Sequence, residues 1–415
     1  MNVHRTFALA IFGLALATGS AWAPAKVAAS PPTLTAEEAP LGLFSERERN
    51  ELAPFIERGP VALVEFNEGD ALPAVIFATK IHATPEHVVD VIRRPETYPT
   101  FMPALDSVDV ESRYDSMIAY AWTWKTVLFT LTGRNIMTVF PPPAQKPDRG
   151  YRISIRSTGG DLGTGRMMWR VYPSGQNESL VVFSSRIDLR KANWITRQIN
   201  HGQRSVNRTA NIALAFAMLR GVTRQTEGQR PAVTNPTELE RPEVDVRKLA
   251  AFLNRGDLLL IDMRGDRLNQ VASVGRMFAR YTKVRKVMDN PEEFGSALIP
   301  GSYVKVAHRE DEVTDFRWGI DIPLIGTSGT MRMKNGESLI TIDATKGAVK
   351  GGAWRFEPIK LPWKEGAMVS WGRFEPEKAS WLVKMIVEGN KDLGDGIVIG
   401  SQLMVHRAIR TRSQS

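Results

Sequence analysis

Polar and apolar residues alternate with a period of two through the middle of the chain. Val108 and Val110, Trp122 and Trp124, Ile153 and Ile155, Trp169 and Val171, and Val181 and Phe183 each stand two apart. Each pair therefore faces one side of a sheet. Pro141-Pro142-Pro143, Gly159-Gly160 and Ser174-Gly175 separate these strands with turn residues. Upstream, a short amphipathic helix over residues 46–57 closes at Gly59, and strands over 61–66 and 74–81 follow. Thr84 can cap a second helix with Pro85 at its first position. That helix presents Val88, Val91 and Ile92 on one face and stops before Pro95. Residues 98–105 continue as a short helix or turn. From 193 to 224 the period becomes helical, carrying Ile195, Ile199, Ile212, Phe216 and Leu219. An antiparallel sheet followed by one long helix predicts an α+β fold, with the sheet curved around the helix and an apolar space between them.

The same series then returns. Leu52-Ala53-Pro54-Phe55-Ile56-Glu57-Arg58-Gly59 aligns with Leu249-Ala250-Ala251-Phe252-Leu253-Asn254-Arg255-Gly256 at an offset of 197. An offset of 196 pairs Val91 with Val287, Pro95 with Pro291, Val108 with Val304, Trp122 with Trp318 and Gly133 with Gly329. Between Val88 and Arg113 it gives seven identities in 26 positions, too many for unrelated segments. Later the offset becomes 185, pairing Trp169 to Pro173 with Trp354 to Pro358, and then 187, pairing Arg186 with Arg373 and Trp194 with Trp381. Offsets that change only between motifs are what differences in loop length produce. Residues 226–247 hold three prolines and no aromatic, the composition of a linker. The expected organisation is a signal peptide at 1–25, a lead-in at 26–43, one domain at 44–225, a proline-rich linker at 226–244 and a second domain at 245–415.

The N-terminus adds a destination. Arg5 precedes an uncharged run from Phe7 to Thr18, and small residues follow, with cleavage expected after Gly19, Ala21 or Ala25. This is the three-part pattern of a secretory signal, too short for a bilayer span. A periplasmic or secreted protein is expected. The net charge of +9 suggests nucleic acid or an anionic surface. Export removes nucleic acid from the expected partners and leaves an anionic membrane surface. The absence of cysteine excludes disulfides, thiol nucleophiles, zinc ribbons and iron–sulfur clusters.

Catalytic and metal motifs are missing from the sequence: there is no HExxH, P-loop, Rossmann fingerprint or GxSxG. His82 and His87 are separated by a strand end and a helix start, so no metal site or cofactor is expected. Asp109 and Glu111 alternate with Val108 and Val110 and should face solvent. No catalytic residue is assigned. The ten tryptophans carry more information, because several recur at equivalent places in both copies. Large rings on an inner sheet face would line a ligand cavity or fill the core.

The order T-P-E-x-V-x-x-V-I, then P-E-x-Y-P-x-F-M-P, then Trp169-Arg-Val-Tyr-Pro, Asp188 and Trp194-Ile195 resembles the START-like helix-grip superfamily. That superfamily includes lipid-transfer domains, polyketide cyclase/dehydrases and coenzyme-Q-binding proteins. The second copy departs from the pattern where Pro99 to Pro103 becomes Gly295 to Ile299. The resemblance implies two tandem helix-grip domains, each with a hydrophobic pocket between sheet and last helix. The residues expected to line the pockets are Trp122, Trp124, Trp169, Phe183 and Phe216, with Trp318, Trp354 and Trp371 in the second copy. Arg186 and Arg373 pair with Asp188 and Glu375 along their strands, or reach into the pockets toward a ligand headgroup. The function expected is binding or transfer of a lipid, sterol, quinone or similar molecule. The alternative is a cyclase/dehydratase acting on an aromatic or polyketide-like substrate.

Overall fold

The computed structural model describes residues 41–66, 73–102, 105–125, 130–161, 164–188, 204–229, 231, 238–298, 302–320, 327–374 and 391–415. The segment expected to be a signal, residues 1–25, and the places of Trp194 and Trp381 lie outside them. The first half contributes β1 (Val61–Glu65), β2 (Val75–Ile81), β3 (Leu105–Tyr114), β4 (Met117–Lys125), β5 (Thr130–Phe140), β6 (Tyr151–Gly160), β7 (Thr164–Gly175) and β8 (Glu178–Asp188). The second contributes β9 (Gly256–Arg264), β10 (Arg267–Arg280), β11 (Ser302–Glu310), β12 (Val313–Ile320), β13 (Thr327–Asn335), β14 (Ile340–Gly347), β15 (Ala353–Lys360) and β16 (Glu365–Arg373).

The two sheets are one. All sixteen strands form a single antiparallel sheet, in the order β11-β12-β13-β14-β15-β16-β10-β9-β1-β2-β8-β7-β6-β5-β4-β3. The halves meet where β1 pairs with β9, as Val61↔Leu260, Ala62↔Leu259 and Leu63↔Leu258. At the offset of 197, Val61 corresponds to Leu258 and Leu63 to Leu260. Exchanging the copies therefore maps this pairing onto itself, the mark of a two-fold contact.

Helices cover both faces. On the inner face lie α3 (Arg204–Glu227) and α7 (Lys391–Gln414), which pack side by side. A Cβ on Gly396 would meet Ala213 Cα at 2.6 Å, and one on Gly400 would meet Thr209 Cγ2 at 2.5 Å. At an offset of 187, Gly396 corresponds to Thr209 and Gly400 to Ala213, so the same exchange of copies relates the two helices. The outer face of the central strands is covered by α1 (Glu46–Ile56) and α4 (Ala250–Arg255), and Val244 and Val246, just before α4, are buried there. Among the described residues no helix is long and apolar enough to cross a membrane.

Strand register corrects one pairing of the copies. Ile153 faces Trp169 and Ile155 faces Met167, while Ile340 faces Phe356 and Ile342 faces Trp354. The offset is thus already 187 on this strand, not 185. Phe356 stands where Trp169 stands, and Trp354 corresponds to Met167.

Candidate functional site: the first-half cavity

The cavity is built from the turn after α2 (Pro85–Ile92), the inner faces of β3 to β7, and α3. Thr84 caps α2 by accepting a hydrogen bond from the His87 backbone N–H, and Pro85 opens the helix, as the sequence predicts. The following 3₁₀ turn (Pro95–Thr100) places Tyr98 inward. Its hydroxyl donates to the Ile92 carbonyl, and its ring meets the Tyr120 ring edge-on at 6.5 Å. Along β4, period two points Tyr120, Trp122 and Trp124 into the space. Leu214, Ala217 and Met218 of α3 face them, and Leu393 of α7 reaches across from the second half. The cavity volume is about 150 Å³.

Glycine makes room for the indole of Trp122. Trp122 pairs across the strands with Gly133, where a Cβ would lie 2.2 Å from the ring. Trp318 and Gly329 repeat this pairing in the second half, with Trp318 Nε1 2.7 Å from the same imagined atom.

Among the described residues, the polar side chains of the wall are uncharged: Tyr98, Tyr120, Trp122, Trp124, Asn135 and Ser157. Asn135 Nδ2 donates to the Tyr120 hydroxyl at 3.1 Å. Burial raises the Tyr120 phenol to about 12, so it keeps its proton. Trp124 Nε1 is buried without a hydrogen-bond partner among the described residues. No carboxylate, imidazole, ammonium or guanidinium lines the cavity among the described residues. Asp109 and Glu111 are exposed on β3, as the alternation predicts.

The ten expected lining residues separate into three groups. Trp122 and Trp124 line the cavity. Trp169, Phe183 and Phe216 lie on the same side but beneath it, in the packed core. Trp169 stacks on Phe183 at 4.0 Å, and Phe216 meets Phe77 at 6.1 Å. Trp318 and Trp354 pack on the second-half inner core. The other three face the opposite way. Arg186 points to the outer face, 3.7 Å from Glu65, and Trp371 belongs to the outer-face cluster under α1 and α4. Arg373, two residues beyond Trp371 on β16, shares that face. The sequence reading missed Tyr120, Asn135 and Met167. Tyr120 was within its reach, because it continues the period of Trp122 and Trp124.

The second half differs at corresponding positions. At an offset of 196, Tyr98, Tyr120 and Asn135 become Phe294, Phe316 and Met331, and Phe316 pairs with Met331 as Tyr120 pairs with Asn135. Deeper in, the pair Phe77↔Phe183 becomes Ser273↔Ser370. At 187, Ala215 and Leu219 of α3 become Gln402 and His406 of α7. These four residues join in one network. The Ser273 and Ser370 hydroxyls lie 2.7 Å apart, His406 Nδ1 is 3.1 Å from Ser273 Oγ, and Gln402 Nε2 donates to Ser370 Oγ at 2.9 Å. Asp257 accepts from Arg407 Nε at 2.7 Å and Arg410 Nη1 at 3.0 Å.

Serine, histidine and aspartate together invite a nucleophilic reading. Geometry argues against it: His406 Nε2 is 3.8 Å from Asp257 Oδ1, and Asp257, Ser273 and His406 are all fully buried. The network fastens α7 to the sheet.

Residues 81–210 match the family described as "Polyketide cyclase / dehydrase and lipid transport". No curated protein sequence matches the chain. Similar solved structures include the di-domain ARO/CYC StfQ of the steffimycin biosynthetic pathway, at 9% identity over 82% of this chain and 99% of that one, with a TM-score of 0.27. A STAR-related lipid transfer protein from Xanthomonas axonopodis is similar at 12% identity over 45% of this chain and 97% of that one, TM-score 0.34. Human STARD10 is similar at 9% identity, over 44% and 79%, TM-score 0.30. The family match thus falls within the first of the two sheet-and-long-helix units that the fold contains.

Proposed function

We propose that the protein is an exported carrier that holds one hydrophobic molecule per chain in the first-half cavity. The observation that carries this reading is the wall itself: an apolar space between sheet and gripping helix, with only uncharged polar groups among its described residues. Each methylene left in water costs about 0.8 kcal/mol, so a hydrophobic molecule crossing an aqueous compartment gains from such enclosure. A cyclase or dehydratase would need an acid or base held against its substrate, and the described wall offers none. The second half, with Phe316 and Met331 in place of the polar pair and a buried network fastening its helix, supports a structural role there.

The experiment purifies the chain from the periplasmic fraction of a Gram-negative host, reads its N-terminus and extracts bound molecules for mass spectrometry. The expected result is a chain beginning after Gly19, Ala21 or Ala25 and carrying one apolar molecule. Recovery only from the cytoplasm with Met1 in place overturns export. A chain that is empty and takes up no added lipid, sterol or quinone overturns the carrier. Two molecules per chain overturn the one-site assignment.

A further inference from the structure

We infer that the first-half cavity selects an uncharged molecule bearing a hydrogen-bond-accepting oxygen, a carbonyl or ester compound, and rejects the corresponding carboxylate. This rests on the carrier reading and names the chemistry of its ligand. An indole N–H can only donate, and that of Trp124 is buried at the cavity with no partner among the described residues. A buried donor left without an acceptor carries its full desolvation penalty. An acceptor oxygen on the ligand removes that cost, whereas an ammonium or a hydrocarbon does not.

Tyr120 points to the same chemistry. Its oxygen accepts from Asn135, and its own proton remains available to the cavity. Because burial holds the phenol near 12, that proton is present throughout the neutral range. Trp124 and Tyr120 therefore present two uncharged donors to the cavity, beside the Ser157 hydroxyl. An ionised carboxylate entering it would lose its hydration, with no cation among the described lining residues to offset the loss. Arg186, the cation that the sequence offered for this task, lies on the other face of the sheet beside Glu65.

The two halves provide an internal contrast. Phe316 and Met331 remove the hydroxyl and amide from the second half at the same strand register. Polar recognition of the ligand is confined to the first.

The test uses the full chain and three probes of one shape: methyl 2-naphthoate, 2-naphthoate and 2-ethylnaphthalene, measured by equilibrium dialysis at neutral pH. The ester is expected to bind roughly tenfold or more tighter than the carboxylate, because only the carboxylate carries the uncompensated desolvation cost. Trp124→Phe and Tyr120→Phe are each expected to weaken the ester on the order of fivefold, one neutral hydrogen bond. Binding of 2-ethylnaphthalene should weaken less than that of the ester in both variants, and its retention shows that the cavity survives the substitutions. Carboxylate binding as tight as ester binding overturns the selectivity and leaves the carrier standing. Equal loss of ester and hydrocarbon in both variants overturns the donor assignment. Failure of all three probes to bind overturns the carrier and the selectivity together.

Discussion

His406 of the second half stands where the first has Leu219, and the exchange carries a pH dependence. Burial pushes its imidazole from 6.5 down to about 3. Burial would raise the Asp257 carboxyl, but the Arg410 and Arg407 guanidiniums outweigh it and hold the group well below the usual range. Below pH 6.5 the unfolded chain takes up a proton at His406 that the folded chain refuses. The stabilisation is complete above about 6.5 and is lost as pH falls. Asp257 acts in the same direction lower down, below 3.8. His406→Gln keeps a group able to bond Ser273 and cannot titrate. Its loss of stability between pH 7 and pH 5, followed by urea unfolding, should be about 2 kcal/mol smaller than in the parent chain. An unchanged pH slope would remove His406 from this role. At this scale the sequence already held the place of Arg186. It is three residues from Phe183 on one strand, and an odd separation puts two side chains on opposite faces. The meeting of Tyr120 with Asn135 was less accessible, because it depends on the register across the β4–β5 connection.

Between elements, alternation shows which face a residue occupies but not its partner. The residues flanking Trp169 and Trp354 look alike, whereas the sheet matches Trp169 to Phe356. A slip of two leaves every side chain on its own face, so the period cannot detect it; only hydrogen-bonded register can. Helix positions were legible from caps and prolines, as at Thr84 and Pro85. The packing of α3 on α7 was not, since it joins parts of the chain that no local pattern relates. That contact gives a prediction. Gly396→Ala would gain about 0.5–1 kcal/mol of helix propensity. Its Cβ, however, would sit 2.6 Å from Ala213 Cα and 2.9 Å from its carbonyl oxygen, backbone atoms that cannot turn aside. Overpacking typically costs about 1–3 kcal/mol, so a net loss of about 1 kcal/mol in denaturant unfolding is expected. A stabilised variant would show that the helices have room to part.

Across the whole molecule, the continuous sheet makes the halves mechanically one. The outer-face cluster draws Leu52 and Val61 from the first half and Leu258, Ala272 and Trp371 from the second. Unfolding by urea should therefore give a single transition, coincident by tryptophan fluorescence and circular dichroism. Two separated steps would show that the β1–β9 seam is weaker than either half. The helix-grip unit and its repetition were visible in the sequence, but the merging of the sheets was not, because strand β1 carries the same apolar residues whether its partner is solvent-side cover or another strand. The symmetric register of that seam has a further meaning. Two copies of one strand that pair in a self-matching way are what a dimer of identical subunits would present. Joined by a linker, such partners meet at an effective concentration fixed by the tether rather than by expression level. Dilution that would separate a dimer leaves this pairing intact, and each copy is free to diverge without losing its mate.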